Sequence, residues 1–198
     1  MAYLGGMSVT GAALRWREAG CMRRNPSAAI RRNGAGGRNA EATMLSPRLH
    51  HFLDQQHVPY TTLAHARTVT AQETADAAHI GNRDFAKTVM LKVDGALAMM
   101  VMPAAYRVDL TRLSRALGGP VVELAEEPEF KDTFPDCEVG AMPPFGNLYG
   151  VPVFVDERLT AQDEIAFNAG THTEAVRMPY AEFERLALPQ KLWLTHVM

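Results

Sequence analysis

Two eight-residue apolar runs, AKTVMLKV at 86–93 and ALAMMVMP at 96–103, are separated only by Asp94-Gly95. A type I′ turn needs positive φ at both central positions, which Gly adopts freely and Asp tolerates, and its twist matches that of two right-twisted strands. The stretch is therefore expected to fold as an antiparallel hairpin around which the other elements pack. Period-2 alternation in the first strand puts Lys87, Val89, Leu91 and Val93 on one face and Ala86, Thr88, Met90 and Lys92 on the other. Lys87 thus shares a face with three aliphatic side chains. An ammonium is costly to bury unless it is paired or reaches water, so this lysine needs a reason.

Around the hairpin the chain alternates helical and extended patterns. Ser46-Pro47 opens SPRLHHFLDQQH (46–57) as an N-cap followed by Pro at the first helical position, with Leu49, Phe52 and Leu53 at helical spacing. VPYTTLAHA (58–66) reads as extended. TAQETADAAH carries the capping-box pair Thr70 and Glu73 and predicts a short helix over 70–79. Asp109 can cap LTRLSRALGG, VVELA reads as a strand, and EEPEFKDTF as a short helix. EVGAMPPFGNLYG (138–150), with three Gly and two consecutive Pro, has no period and reads as a loop. VPVFVD, DEIAFNAG and HTEAVRM are expected strands, and PYAEFERLAL a closing helix. Interleaved strands and helices with a hairpin and short connections imply an α/β fold with a mixed, partly antiparallel sheet.

The 198 residues, 47% hydrophobic and 21% charged, suffice for one domain with a substantial core. Charge is unevenly spread: the first 43 residues hold seven Arg against two Glu, leaving 13 basic and 20 acidic residues in 44–198. Residues 1–43, rich in Arg, Gly and Ala and without apolar periodicity, are expected to be a disordered extension. They fit a transit-like presequence, a nucleic-acid-binding arm, or upstream sequence ahead of a true start at Met44, and the last is the working expectation. No secretory signal pattern or apolar run of about 18 residues occurs, which points away from membranes and toward the cytoplasm. Cys21 and Cys137 are too far apart in sequence to suggest a disulfide framework or Cys-based zinc site, and the seven His show no HExxH or HxH spacing. Neither metal nor cofactor is expected.

Three places stand out: Lys87, the Gly-Pro segment from Gly140, and FNAGTHTE with Gly170 and His172. Taken singly, each has an ordinary explanation. Lys87 can snorkel from a strand end, Gly140 and the prolines can shape a turn, and Gly170 can sit in a bulge with His172 on the surface.

Together, HARTVTAQETADAA, AKTVMLK, MPAAYRVDL, GAMPPFG, VPVFVD and IAFNAG occur in an order that resembles the YbaK/ProRS-associated editing domains, which are aminoacyl-tRNA deacylases. The resemblance covers essentially all of 44–198 and none of 1–43. Its most specific parts are a lysine opening a central strand, matched by Lys87, and a GxxxP loop, matched by Gly140 to Pro144. It implies a single domain with a curved mixed sheet flanked by helices, and a pocket between the lysine strand and that loop. Lys87 is then the expected catalytic residue. Gly140, Ala141, Met142, Pro143, Pro144, Phe145, Gly146, Gly170, Thr171 and His172 are the expected substrate-binding residues. The implied function is hydrolysis in trans of a small wrong amino acid from tRNA, of the kind mischarged by prolyl-tRNA synthetase. The implied partners are mischarged aminoacyl-tRNA and an aminoacyl-tRNA synthetase, with the protein a monomer. A rival reading from another class is a non-catalytic module that holds a nucleotide or the acylated 3′ end.

Overall fold

The computed structural model describes residues 45–194. The extension 1–43, with Cys21, and Met44 lie outside the described residues. The central hairpin is present as β2 (Ala86–Val93) and β3 (Ala96–Pro103), paired antiparallel from Ala86↔Pro103 to Val93↔Ala96. Asp94 and Gly95 have φ of 49° and 79°, the positive values that the turn requires.

β3 is buried on both faces. Met99 and Val101 point into one apolar cluster, while Ala98, Met100 and Met102 point into another, which explains its nearly unbroken apolar sequence. β4 (Val122–Leu124) adds antiparallel to β2, and β5 (Val153–Asp156) and β8 (Gln190–Leu192) add parallel beyond β3. The result is a mixed five-stranded sheet in the order β4-β2-β3-β5-β8. A second, antiparallel sheet has the order β1-β7-β6, from Thr61–Ala64, Glu174–Pro179 and Glu164–Asn168. A single parallel bridge, Phe85↔Ala166, joins the two sheets.

This leaves β2 paired unevenly. Its β3 side is paired throughout, but its other side meets β4 only at Leu91–Val93 and β6 only through Phe85. Residues 86–89 have no strand neighbour there, and Lys87 lies in that interval.

The helices cover the sheets as their apolar stripes dictate. α1 (Pro47–Gln55) is capped by Ser46 and buries Leu49 and Leu53 with α6 (Tyr180–Ala187), whose Phe183 is fully buried. α2 (Ala71–Ala77) has the complete Thr70/Glu73 capping box and packs Ala75 with Phe85, Ala104, Ala166 and Ala175. α3 (Leu110–Ala116), capped by Asp109, inserts Leu113 between Leu91, Met100 and Phe154 on the opposite face of the large sheet. α4 (Glu127–Phe130) continues into a 3-10 turn at Lys131–Thr133.

Two elements go beyond the sequence reading. α5 (Glu157–Thr160) follows β5, capped by the buried Asp156. β8 follows α6, so the expected closing helix is not the last element. None of the described helices is long and apolar enough to cross a membrane.

Candidate functional site

The segment expected as a loop is buried at its centre. Ala141 to Gly146 are all buried, and Gly146–Tyr149 forms a 3-10 turn within it. Phe145 meets Phe52, Phe167 and Phe183 edge-on at centroid distances of 5.9, 5.7 and 5.6 Å. Burying one such ring stabilises the fold by about 1.5–3 kcal/mol, so Phe145 anchors the loop to the core. Gly146 is fixed by space, since a Cβ there would lie 2.7 Å from the Val151 carbonyl oxygen. The loop also meets the unpaired stretch of β2, where Thr88 Oγ1 donates to the Met142 carbonyl at 3.0 Å.

Gly140 and Gly170–His172 come together as the sequence pattern suggests. The Glu138 amide donates to Gly170 O at 2.8 Å, and the Gly170 amide donates to Ala141 O at 3.0 Å. The His172 amide donates to Glu138 Oε2 at 2.9 Å, and His172 Nε2 lies 2.9 Å from Val139 O. A carbonyl can only accept, so that contact assigns the proton to Nε2. Gly140 has φ 88°, and a Cβ there would sit 3.4 Å from the His172 ring. Gly170 has φ 104°, and a Cβ would come within 2.7 Å of Ser46 Cβ, so only glycine fits where this loop crosses the start of α1. Thr171 Oγ1 faces Thr173 Oγ1 at 3.4 Å beside them.

The Gly140 amide is the weakly bonded donor of this assembly. It points at Met142 Sδ, 3.2 Å away, a weak acceptor that a charged oxygen would displace.

Lys87 is half-buried, and its Nζ donates to Ala104 O at 3.4 Å. Burial, and after it the charge of Arg107, lowers its pKa below the ordinary lysine value. Among the described residues no carboxylate lies within 4 Å of it. Lys92, by contrast, pairs with Glu129 at 2.9 Å and Glu123 at 3.7 Å. Lys87 makes no hydrogen bond to either glycine loop; α2 stands between them. Gln72 Nε2 shares the Ala104 carbonyl at 3.3 Å, while Thr74 Oγ1 meets Thr68 Oγ1 at 2.7 Å and the Thr68 amide donates to His172 O at 3.2 Å.

Sequence reasoning missed the residues that brace the loop. Glu138 is the one charged residue in 138–150, a signal that was available. Its pKa is lowered by the His172 amide, and more weakly by Arg67 at 3.3 Å. Ser46 Oγ donates to Asp136 and also contacts Tyr149 OH at 3.4 Å, while Cys137 Sγ touches the same hydroxyl at 3.3 Å. Burial pushes the Cys137 thiol up, so it is a poor nucleophile. Among the described residues no three His, Cys, Asp or Glu are grouped to hold a metal ion. Two surface clefts lie elsewhere, one along α6 at Glu184 and Leu188, the other between Gly81 and Asp163.

A mixed α/β sheet thus carries a lysine without a carboxylate partner on β2 and, bonded to the adjacent Thr88, a core-anchored glycine loop whose Gly140 amide meets only a thioether. The sequence profile of the aminoacyl-tRNA editing domain matches residues 65–186. The chain belongs to that family and is an aminoacyl-tRNA deacylase. It is 27% identical over 156 residues to the Escherichia coli K12 protein named multifunctional Ser/Thr-tRNA deacylase ProXp-y, covering 76% of this chain and 93% of that one. The fold is shared with a crystal structure of a protein proposed as a trans-editing enzyme for prolyl tRNA synthetase, at TM-score 0.63 and 23% identity, over 78% of this chain and 99% of the other. It is shared also with hypothetical protein APE2540, at TM-score 0.65 and 18% identity, over 73% and 96%.

Proposed function

We propose that the protein is a freestanding cytoplasmic monomer that removes small, wrongly attached amino acids from tRNA in trans, with hydroxyl-bearing acyl groups such as serine and threonine as the leading candidates. The Escherichia coli relative's name supports the acyl class, and the crystal structure at TM-score 0.63 supports a tRNA mischarged by prolyl-tRNA synthetase. A synthetase is then a natural partner, because the 44–198 region has 13 basic against 20 acidic residues and lacks the surplus of cations that grips a tRNA body.

The observation that carries the mechanism is the Gly140 amide held against only a thioether. The ester carbonyl of the substrate lies over this amide, and a water attacks the carbonyl carbon. As the C–O double bond becomes a single bond, the oxygen gains charge and draws the amide away from Met142 Sδ. Collapse of the tetrahedral intermediate breaks the bond to the ribose oxygen, which leaves with a proton given up by the attacking water. An oxyanion donor contributes about 10² or more in rate when rigidly placed. Rigidity here comes from the Glu138–His172 and Gly170–Ala141 hydrogen bonds and from the buried Phe145. Ala141, Met142, Pro143 and Pro144 form the pocket floor, while Gly170, Thr171 and His172 form its wall. Lys87 holds the nucleotide end through its ammonium.

The test is a deacylation assay against tRNAs carrying Ser, Thr, Ala and Cys, run beside a filter-binding measurement. Hydrolysis of the hydroxyl-bearing esters ahead of alanyl and cysteinyl esters is the expected result. Binding of acylated tRNA with no hydrolysis of any ester would instead establish a binding module.

A further inference from the structure

β6 ends on a buried polar side chain whose acceptor oxygen the fold leaves unused. Asn168 is 7% exposed, and its Oδ1 has no hydrogen-bond partner among the described residues. An acceptor held away from water without a donor costs the fold at least as much as a lost hydrogen bond, so its retention needs a reason. The place of Asn168 is set by bonds around it. It pairs with Ala175 of β7, and period 2 puts its side chain on the face of Ala166, which packs with Ala75 of α2. The next residue, Ala169, accepts the Ser46 amide at 2.8 Å, and Gly170 donates to Ala141 O at 3.0 Å. The neighbouring loop residue, Met142, is held from the other side by Thr88 of β2 at 3.0 Å. β2 and β6 meet in the parallel Phe85↔Ala166 bridge and do not pair beyond it. The interval between the two strands thus runs from that bridge to the Ala141–Met142 segment, which is bonded to both sides, and Asn168 stands on it two residues past the bridge.

We propose that Asn168 reads the hydroxyl of the acyl group, its Oδ1 accepting the hydroxyl hydrogen of a seryl or threonyl ester. The inference rests on the deacylase reading and assigns its acyl preference to one side chain. A buried acceptor that only a substrate donor can satisfy rejects the analogue lacking that donor, far more strongly than an apolar pocket rejects a missing methylene. Alanine has no donor to offer, and a thiol is a weak one. Oδ1 is shielded from solvent in this structure, so the acyl side chain reaches it only as the interval between β2 and β6 opens. For serine and threonine the new hydrogen bond helps to offset that opening, and for alanine nothing does. A neutral amide suits this task better than a carboxylate, because it accepts at every pH and does not attract the α-ammonium that all aminoacyl esters share.

The experiment compares Asn168→Val with the parent full chain on tRNAs carrying Ser, Thr and Ala. Valine suits a strand and the oxygen it removes is unpaired, so the variant should melt at or above the parent's Tm. A Tm well below the parent's would make the amide structural and overturn the proposal. On the seryl and threonyl esters kcat/KM should fall about 10–100-fold, while on the alanyl ester it changes by no more than a few fold. Equal losses on all three esters, as expected of a residue that holds the α-ammonium, would overturn it, and so would an unchanged preference for serine. A second measurement needs neither the variant nor catalysis: titration of the parent with 3′-amino-3′-deoxyadenosine acylated by Ser or by Ala through a stable amide. The seryl compound should bind about tenfold more tightly, and equal affinities would refute the hydroxyl contact. If no ester is hydrolysed yet the seryl compound binds better and loses that advantage in Asn168→Val, the contact stands and the deacylase reading fails. If esters are hydrolysed with a serine preference that Asn168→Val leaves intact, the contact fails and that reading stands.

Discussion

Glu138 and His172 are joined by the carboxylate, which accepts the His172 backbone amide at 2.9 Å, and the next residue's carbonyl, Val139 O, holds the His172 ring at the same distance. Backbone and side chain of each segment are thereby tied to the other, which holds Gly140 in place beside its own weak contact with Met142 Sδ.

Replacing Glu138 should therefore loosen the site without unfolding the domain. Glu138→Ala is expected to lower single-turnover deacylation by about 10–100-fold, and Glu138→Gln by less, because an amide oxygen still accepts. The carboxyl's pKa is depressed in the fold, first by the His172 amide and then by Arg67. Its contribution is thus complete above the ordinary glutamate value and is lost as pH falls through the lower folded value. The difference between parent and Glu138→Gln should shrink on acidification below the normal carboxylate range, measured as amide exchange protection at His172. A difference that stays constant through that range would remove the carboxylate from the account.

Lys87→Met tests the half-buried ammonium. Its melt should be close to the parent's, because the aliphatic packing is kept and a desolvated charge is removed, while deacylation falls by about 10². Lys92→Met is the control on the other face of the same strand, where it breaks surface pairs with Glu123 and Glu129. Turnover should barely change there. Equal losses at both positions, erased by added salt, would reduce Lys87 to general attraction for tRNA.

Cys137→Ala should leave single-turnover deacylation within a few fold and cost about 1 kcal/mol of stability through the lost contact with Tyr149. Added chelator should be equally without effect. A hundredfold loss in either case would require a different chemistry.

A chain beginning at Met44 is expected to fold and deacylate like the full chain. One beginning at Pro47 should not: Leu45 and Ser46 are 5% and 1% exposed, and Ser46 both caps α1 and donates to Asp136. Losing the cap costs about 1 kcal/mol and losing the buried leucine about 2 more, readable as a lower Tm. If the Met44 chain melts well below the full chain, residues 1–43 are part of the domain.

What could be read beforehand was whatever local chemistry dictates. Asp94-Gly95 specifies its turn within two residues, Thr70 and Glu73 cap within one helical turn, and period-2 alternation separates Lys87 from Lys92. What could not be read depends on partners distant in sequence. The three residues of β8 become a strand only beside β5, and Lys87 Nζ reaches the Ala104 carbonyl only because the chain turns after Pro103. Residues 138–150 read only as a loop because they have no period, which says nothing of their burial. A segment packed through individual side chains such as Met142 and Phe145 needs none.

Ala141 to Gly146 are buried, so if the proposed pocket floor at Ala141 to Pro144 sets acyl preference, that preference and thermal stability are drawn from the same segment. A substitution there that reshapes the cavity also removes core packing, at about 3–5 kcal/mol for Phe145→Ala. Selection for a new acyl group has a cheaper route through the solvent-facing rim, where Val69 and Val139 are 80% and 38% exposed and flank His172. Variants that diverge in specificity should therefore differ first at Val69 and Val139 and keep Ala141 to Gly146.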